Sequence, residues 1–242
     1  MRILIINPNT TASMTHTIAA AASAVAAAKT EVVAVNPADG PASIEGYFDE
    51  VFSIPGIIDE MQKAPNMDAY VIACFDDTGL DAARCFTQVP VIGIGEAAFH
   101  VASLLAGKFS VITTLARSVP AIENNLMKYG LASRCARVRA SEIPVLDLEH
   151  SGSEASSRIS SEINRAITED RAEAIVLGCA GMANLADQLS AKHGLPVIDG
   201  VVCAVKLAES LVDLGLRTSK IGGYAPPRAK RFDGQFSRFS PL

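Results

Sequence analysis

Two cysteines occupy matching places in this chain. In "DAYVIACFDDTG" (68–79) and in "AEAIVLGCAGMA" (172–183), a run of small and β-branched apolar residues ends at Cys74 and Cys179 respectively. Open parallel sheets bind ligands beyond the carboxyl ends of their strands, and both cysteines fall at such ends. Each also precedes a helical stretch, so nearby backbone N–H groups and the positive end of a helix dipole are expected to lower the thiol pKa. A thiolate on one side of a substrate and a thiol on the other suit one chemistry in particular. The first removes a proton from a stereogenic carbon and the second returns a proton to the opposite face, which is racemisation or epimerisation without a cofactor. The N–H groups following each cysteine are candidate donors to the developing enolate oxygen. A lone buried cysteine is usually no more than a small hydrophobe. The symmetric pair is what points to chemistry, and Cys85, Cys135 and Cys203, which have no such symmetry, read as structural.

The elements that must hold this pair alternate along the chain. Apolar runs predict strands at 2–7, 30–37, 69–74, 90–95, 108–114, 136–145, 174–179 and 196–200. Helical stretches follow them: the Ala-rich segment after "NPNT", then 47–63, 79–87, 96–107, 118–130, 153–169, 182–193 and 201–214. Strand–helix alternation with unbroken apolar strands predicts an α/β fold whose parallel sheets are covered on both faces. The chain also repeats itself. With Cys74 set on Cys179, Leu80 falls on Leu185; one inserted residue later "PVI" (90–92) falls on "PVI" (196–198), and Ala98, Ala102 and Leu105 fall on Ala204, Ala208 and Leu211. The expectation is two pseudo-symmetric, flavodoxin-like halves with the active site in the cleft between them. Residues 1–95 plus 206–242 would form the first domain and 96–205 the second.

Other strand ends add polar groups. Asn7, Pro8, Asn9 and Thr10 follow the first strand, and Thr113 and Thr114 end the fifth; turn formation and capping would account for them equally well. Asp76, Asp77 and Thr78 read as caps for the helix that follows. "GIGE" (93–96) resembles a fragment of a dinucleotide fingerprint but lacks the third glycine.

The bulk properties narrow the class. The chain has 242 residues, 49% hydrophobic and 19% charged, which is a globular composition with ample core. Its net charge of −5 gives no reason to expect nucleic acid or an anionic membrane as partner. The basic cluster "PPRAKRF" (226–232) reads as a solvated tail. The longest apolar run, 18–28, is well short of the ~20 residues that span a bilayer, and "NPNTT" breaks any signal-peptide core at the N-terminus. Five cysteines without a CxxC form neither a disulfide framework nor a redox motif, and a cytoplasmic location is expected. His16, His100, His150 and His193 have no partner at ligand spacing, so no metal site is expected.

Several segments together resemble a known family: "INPNTTASMT", "SIEGYFDE", "ACFDDTGLDAAR", "LGCAGM" and "KIGGYAPPRAKRF" are similar to hydantoin racemases of the aspartate/glutamate racemase superfamily. The resemblance runs along nearly the whole chain. It implies a cofactor-independent two-base mechanism with Cys74 and Cys179 as the acid/base pair, and 5-monosubstituted hydantoins as substrates. It further implies that Asn7, Phe75, Asp76, Thr113, Thr114, Ala180 and Gly181 line the ring site, that Ile44 covers the C5 substituent, and that the protein is a homo-oligomer. The nearest rival is an allantoin racemase of the same family, whose members more often carry Pro in place of Thr78. An amino-acid racemase would need charged partners for a free carboxylate and ammonium, where the second motif offers Ala180, Gly181 and Met182. A decarboxylase of the superfamily would keep one cysteine of the two. A two-lobed binding protein would explain the symmetry but not the paired cysteines, and a thiol redox protein would require the sulfurs to approach each other.

Overall fold

The computed structural model describes residues 1–148 and 152–241; His150 lies outside the described residues. The elements run β1 (Arg2–Ile6), α1 (Ala12–Val25), β2 (Glu31–Val35), α2 (Tyr47–Lys63), β3 (Ala69–Ile72), α3 (Leu80–Phe86), β4 (Val91–Gly93) and α4 (Ile94–Leu105). The second half repeats the order with β5 (Phe109–Thr113), α5 (Val119–Lys128), β6 (Cys135–Ala140), α6 (Gly152–Glu169), β7 (Ala174–Gly178), α7 (Ala186–His193), β8 (Val197–Asp199) and α8 (Gly200–Asp213). Each half builds one four-stranded parallel sheet, in the orders β2-β1-β3-β4 and β6-β5-β7-β8. The two orders are the same, as the internal repeat requires. Among the described residues no helix is long and apolar enough to cross a membrane.

The strands lack an apolar/polar alternation because both of their faces are buried. In β1, Ile3 and Ile5 face the core shared by the two halves, whereas Leu4 and Ile6 face a second core that includes Ile57 and Met61 of α2. The shared core is continuous from β1 and β3 through α4 and α8 to β5 and β7.

That continuity comes from an exchange of helices. Helix α4, which follows the last strand of the first sheet, packs on α8 and on β7 of the second; α8, which follows the last strand of the second sheet, packs on β3 and β4 of the first. The crossing is lined by small residues: Ala98, Ala102, Ala204 and Ala208 are all fully buried. At its tightest point a Cβ on Gly200 would overlap the carbonyl oxygen of Ile94; beside the crossing, one on Gly95 would overlap the Phe75 carbonyl in the turn after β3. Leu105, aligned with Leu211 by the repeat, is instead exposed at the end of α4.

Three local expectations are corrected. The sixth strand ends at Ala140, not at 145, because Glu142 adopts a left-handed conformation (φ 53°) and Pro144 has no N–H to continue a ladder. The helix expected over 182–193 begins as a 3-10 segment, Ala180–Leu185, before α7. The acidic residues after Cys74 do not cap α3, whose N-cap is Gly79 with no side-chain bond. Asp77, at φ 52°, instead accepts the N–H groups of Gly95 (3.0 Å) and Glu96 (2.8 Å) in the first turn of α4, and the Tyr129 hydroxyl (2.7 Å). "GIGE" is thus a close-approach motif: side chains at Gly93 or Gly95 would collide with the Asp77 carboxylate.

Because the helix crossing sets the relation of the two sheets, enlarging it should be costly. Gly200→Ala is expected to destabilise by about 2 kcal/mol, lowering Tm by about 5 °C in a thermal melt. Gly130→Ala is the matched control, since a Cβ there meets nothing within 4 Å and only its positive φ opposes the change.

Candidate active site

The carboxyl ends of the two central strands of each sheet meet at one pocket. β1 delivers Asn7 and Asn9, and β3 delivers Cys74, Phe75 and Asp76. From the other half, β5 delivers Thr113 and Thr114, and β7 delivers Gly178, Cys179 and Ala180. Ile44 closes the pocket from the loop before α2, with Met14, Ser118 and Val145 completing the wall. The structure therefore brings together Asn7, Ile44, Cys74, Phe75, Asp76, Thr113, Thr114, Cys179 and Ala180. Phe75 lines the pocket while its ring packs edge-on against Phe99, 5.3 Å between centroids. Gly181 stands behind Cys179, and its N–H bonds the Cys179 sulfur.

Each lining residue is fixed from outside. Asn7 donates from Nδ2 to Asn9 Oδ1 (2.9 Å) and to Thr15 Oγ1 (3.0 Å), and Thr15 donates onward to Asn36 Oδ1 (2.8 Å). "NPNT" is therefore both a turn and a pocket wall. Thr113 donates to the Gly178 carbonyl across the β5–β7 ladder (3.2 Å), and Gly178 lacks the Cβ that would push Thr113 away. Asn125 of α5 donates to the Asp76 carbonyl (2.7 Å), tying the Cys74 turn to the other half of the molecule.

Both cysteine residues are half-buried, yet neither thiol is lowered in pKa. Burial pushes Cys74 well up, with Asp76 the next cause, and burial pushes Cys179 to about 12, with Asp76 and Glu45 adding to it. The expected lowering by N–H donors does operate: Asp76 N–H bonds Cys74 and Gly181 N–H bonds Cys179, two residues on in each case. These donors point at the sulfurs, and they do not offset desolvation in a pocket that also holds carboxylates. No long helix begins at either thiol, since a turn separates Cys74 from the seven-residue α3. Asp76 itself is raised to about 7 by burial, then by Glu50 and Asp77. The consequence for chemistry is favourable in one respect. A thiolate formed in this pocket is scarcer than in water but more basic, which suits abstraction of a carbon-bound proton.

One functional contact was not anticipated. Thr78, almost fully buried, donates its hydroxyl to Cys74 Sγ at 3.4 Å, and this side-chain bond favours the thiolate. The sequence signal was the i,i+4 spacing in "CFDDT", which reads equally as a cap. Met14, Ser118 and Val145 carried no signal of a site at all.

The fold and the site are those of a racemase: the chain belongs to the Asp/Glu/Hydantoin racemase family, whose model matches residues 3–208. It is 48% identical to a hydantoin racemase of Pseudomonas sp. (strain NS671) over 99% of this chain and 97% of that one. It is 52% identical to a hydantoin racemase of Rhizobium meliloti over 97% and 98%. A solved allantoin racemase from Klebsiella pneumoniae superposes with a TM-score of 0.97 at 48% identity, covering all of both chains.

Two substitutions separate the influences on the thiols. Thr78→Val removes the donor to Cys74, so its thiol pKa rises further and kcat/KM is expected to fall about tenfold. Asp76→Asn removes a negative neighbour shared by both sulfurs, so both thiol pKa values should fall. The alkaline rise in iodoacetamide alkylation, followed at each cysteine by peptide mass spectrometry, should move to higher pH for Cys74 in the first variant. In the second it should move to lower pH for both. An unmoved profile in either would mean that the named contact does not set the thiol.

Proposed function

We propose that this protein racemises 5-monosubstituted hydantoins by cofactor-independent, two-base proton transfer at C5. One of Cys74 and Cys179 acts as thiolate base and the other as thiol acid, the roles reversing with the enantiomer. The observation that carries this reading is that equivalent strand ends of two like sheets deliver both cysteines to one pocket. A hydantoin ring is neutral, with N–H donors and C=O acceptors, and its C5–H is acidified by the adjacent carbonyl. The Asp76 carboxyl is a ready acceptor for a ring N–H. The amide of Asn7 and the hydroxyls of Thr113 and Thr114 complete a polar but uncharged complement for the rest of the ring. Ile44, Met14 and Val145 give the pocket an apolar side for the C5 group.

Allantoin is the second reading, favoured by the likeness to a solved allantoin racemase. Its C5 group is a polar ureido, for which those apolar residues offer no hydrogen-bond partner. The reading includes a cytoplasmic location, supported by five unpaired cysteines. It also includes homo-oligomerisation, supported by the exposed apolar stripe of Phe48, Val51 and Phe52 on α2. Sedimentation at the mass of a single chain would remove the oligomer from this account.

The test uses one enantiomer of 5-benzylhydantoin in D₂O with no added cofactor. Optical rotation should decay and deuterium should enter at C5 at matching rates, both far above a protein-free control. Activity on allantoin alone would select the second reading, and activity on neither would reject both.

A further inference from the structure

The pocket is narrow beside its proposed substrate. Its water-accessible space is about 40 Å³, room for a few waters, so a substituted five-membered ring fits by displacing a wall or by projecting through the open side. Most of the wall is strand ends, held by two parallel ladders. Of the rest, Met14 lies in α1 and Ser118 and Val145 in short 3-10 segments, whereas Ile44 is carried over the pocket by the irregular loop 41–46.

This loop is anchored at both ends within its own half. Its start is held by Thr10 N–H to the Pro41 carbonyl (3.0 Å) and by the Thr11 hydroxyl to the Ala42 carbonyl (2.7 Å). Its end is held by the Glu45 N–H to Asp49 Oδ2 (2.9 Å). From the last of these anchors a side chain crosses to the other half: Glu45 Oε1 accepts the N–H of Val145 at 2.9 Å. Val145 opens the 3-10 segment Val145–Leu148, so its N–H has no partner within that segment and is free to be capped by an acid from elsewhere. The bond joins Val145 to the neighbour of Ile44, and both Ile44 and Val145 line the same pocket.

We infer that Glu45 is a positioning residue, a latch whose bond to the Val145 N–H closes the 41–46 loop across the two halves and sets Ile44 against the substrate. The substrate enters when the latch opens and is held when it re-forms. Glu45 touches neither sulfur nor ring in this role. The inference rests on the racemase reading for its purpose, but not for its detection. The fold does not depend on the latch, since α4, α8 and the Asn125 and Tyr129 bonds already join the halves.

The test compares Glu45→Ala with Glu45→Gln. Both remove the negative charge that raises the Cys179 thiol, so any effect of charge is common to the two. Only Gln keeps a side-chain oxygen for the Val145 N–H. Three readouts apply to the full chain: the alkylation rate of Cys74 and Cys179 by iodoacetamide, hydrogen exchange of the peptide containing Val145, and kcat/KM for 5-benzylhydantoin. The Ala variant should alkylate about tenfold faster than the Gln variant, exchange faster at Val145, and lose about tenfold in kcat/KM, chiefly through KM. Gln should stay within about twofold of the parent in exchange and in KM. Equal alkylation and exchange in the two variants would overturn the latch. A protein without racemase activity whose Ala variant still opens would keep the latch and reject the function instead.

Discussion

Two thiols can share one pocket only because two helices cross at backbone contact. Each sheet sends its last helix to cover the other sheet, and the alanines and glycines at the crossing leave no side chain to hold the halves apart. The same crossing fixes the Cys74 turn indirectly. Asp77 caps the first turn of α4, so the segment "CFDD" is tied to the helix that lies on the opposite sheet. Tyr129 and Asn125 reach back from the second half to the same turn. The proposed two-base reaction needs the two sulfurs held at a fixed separation, and the shared core supplies that rigidity.

The electrostatics of the pocket oppose easy ionisation. Desolvation outweighs the two N–H donors and the Thr78 hydroxyl, and Asp76 repels charge on either sulfur. The site therefore resembles a spring more than a store of ready thiolate. A thiolate here is formed at a cost and is strongly basic once formed. In the proposed reaction the second thiol, raised in the same way, would hold its proton until the carbanion takes it.

The architecture was legible because the fold is written twice. Unbroken apolar runs such as "RILII" and "AIVLG" can only be strands with both faces covered, and the offset between Cys74 and Cys179 announced the second sheet. The site's two cysteines were legible for the same reason. What the chain did not disclose depended on tertiary distance. Thr78 and Asp77 sit in a stretch that looks like a helix cap, and only the folded turn sends one to a sulfur and the other to a different helix. Val145 was read as the end of a strand, although Pro144 beside it was the signal that the ladder had stopped. The direction of the thiol pKa was misjudged because local N–H donors are visible in sequence, whereas the density of protein around a sulfur is not. Glu45 sat within "SIEGYFDE", but nothing there pointed to its partner, which lies a hundred positions away.

The most direct measurement of the central claim is the behaviour of single-cysteine variants toward each enantiomer separately. Cys74→Ser and Cys179→Ser would each be given D- and L-5-benzylhydantoin in D₂O, following inversion and C5 deuterium exchange independently. If the sulfurs work from opposite faces, both variants lose inversion by about 10²–10⁴-fold. Any residual exchange with retention should then favour opposite enantiomers in the two variants. A variant that inverts either enantiomer at the parent rate would show that its missing sulfur is not one of the two bases, and the two-thiol account would be wrong.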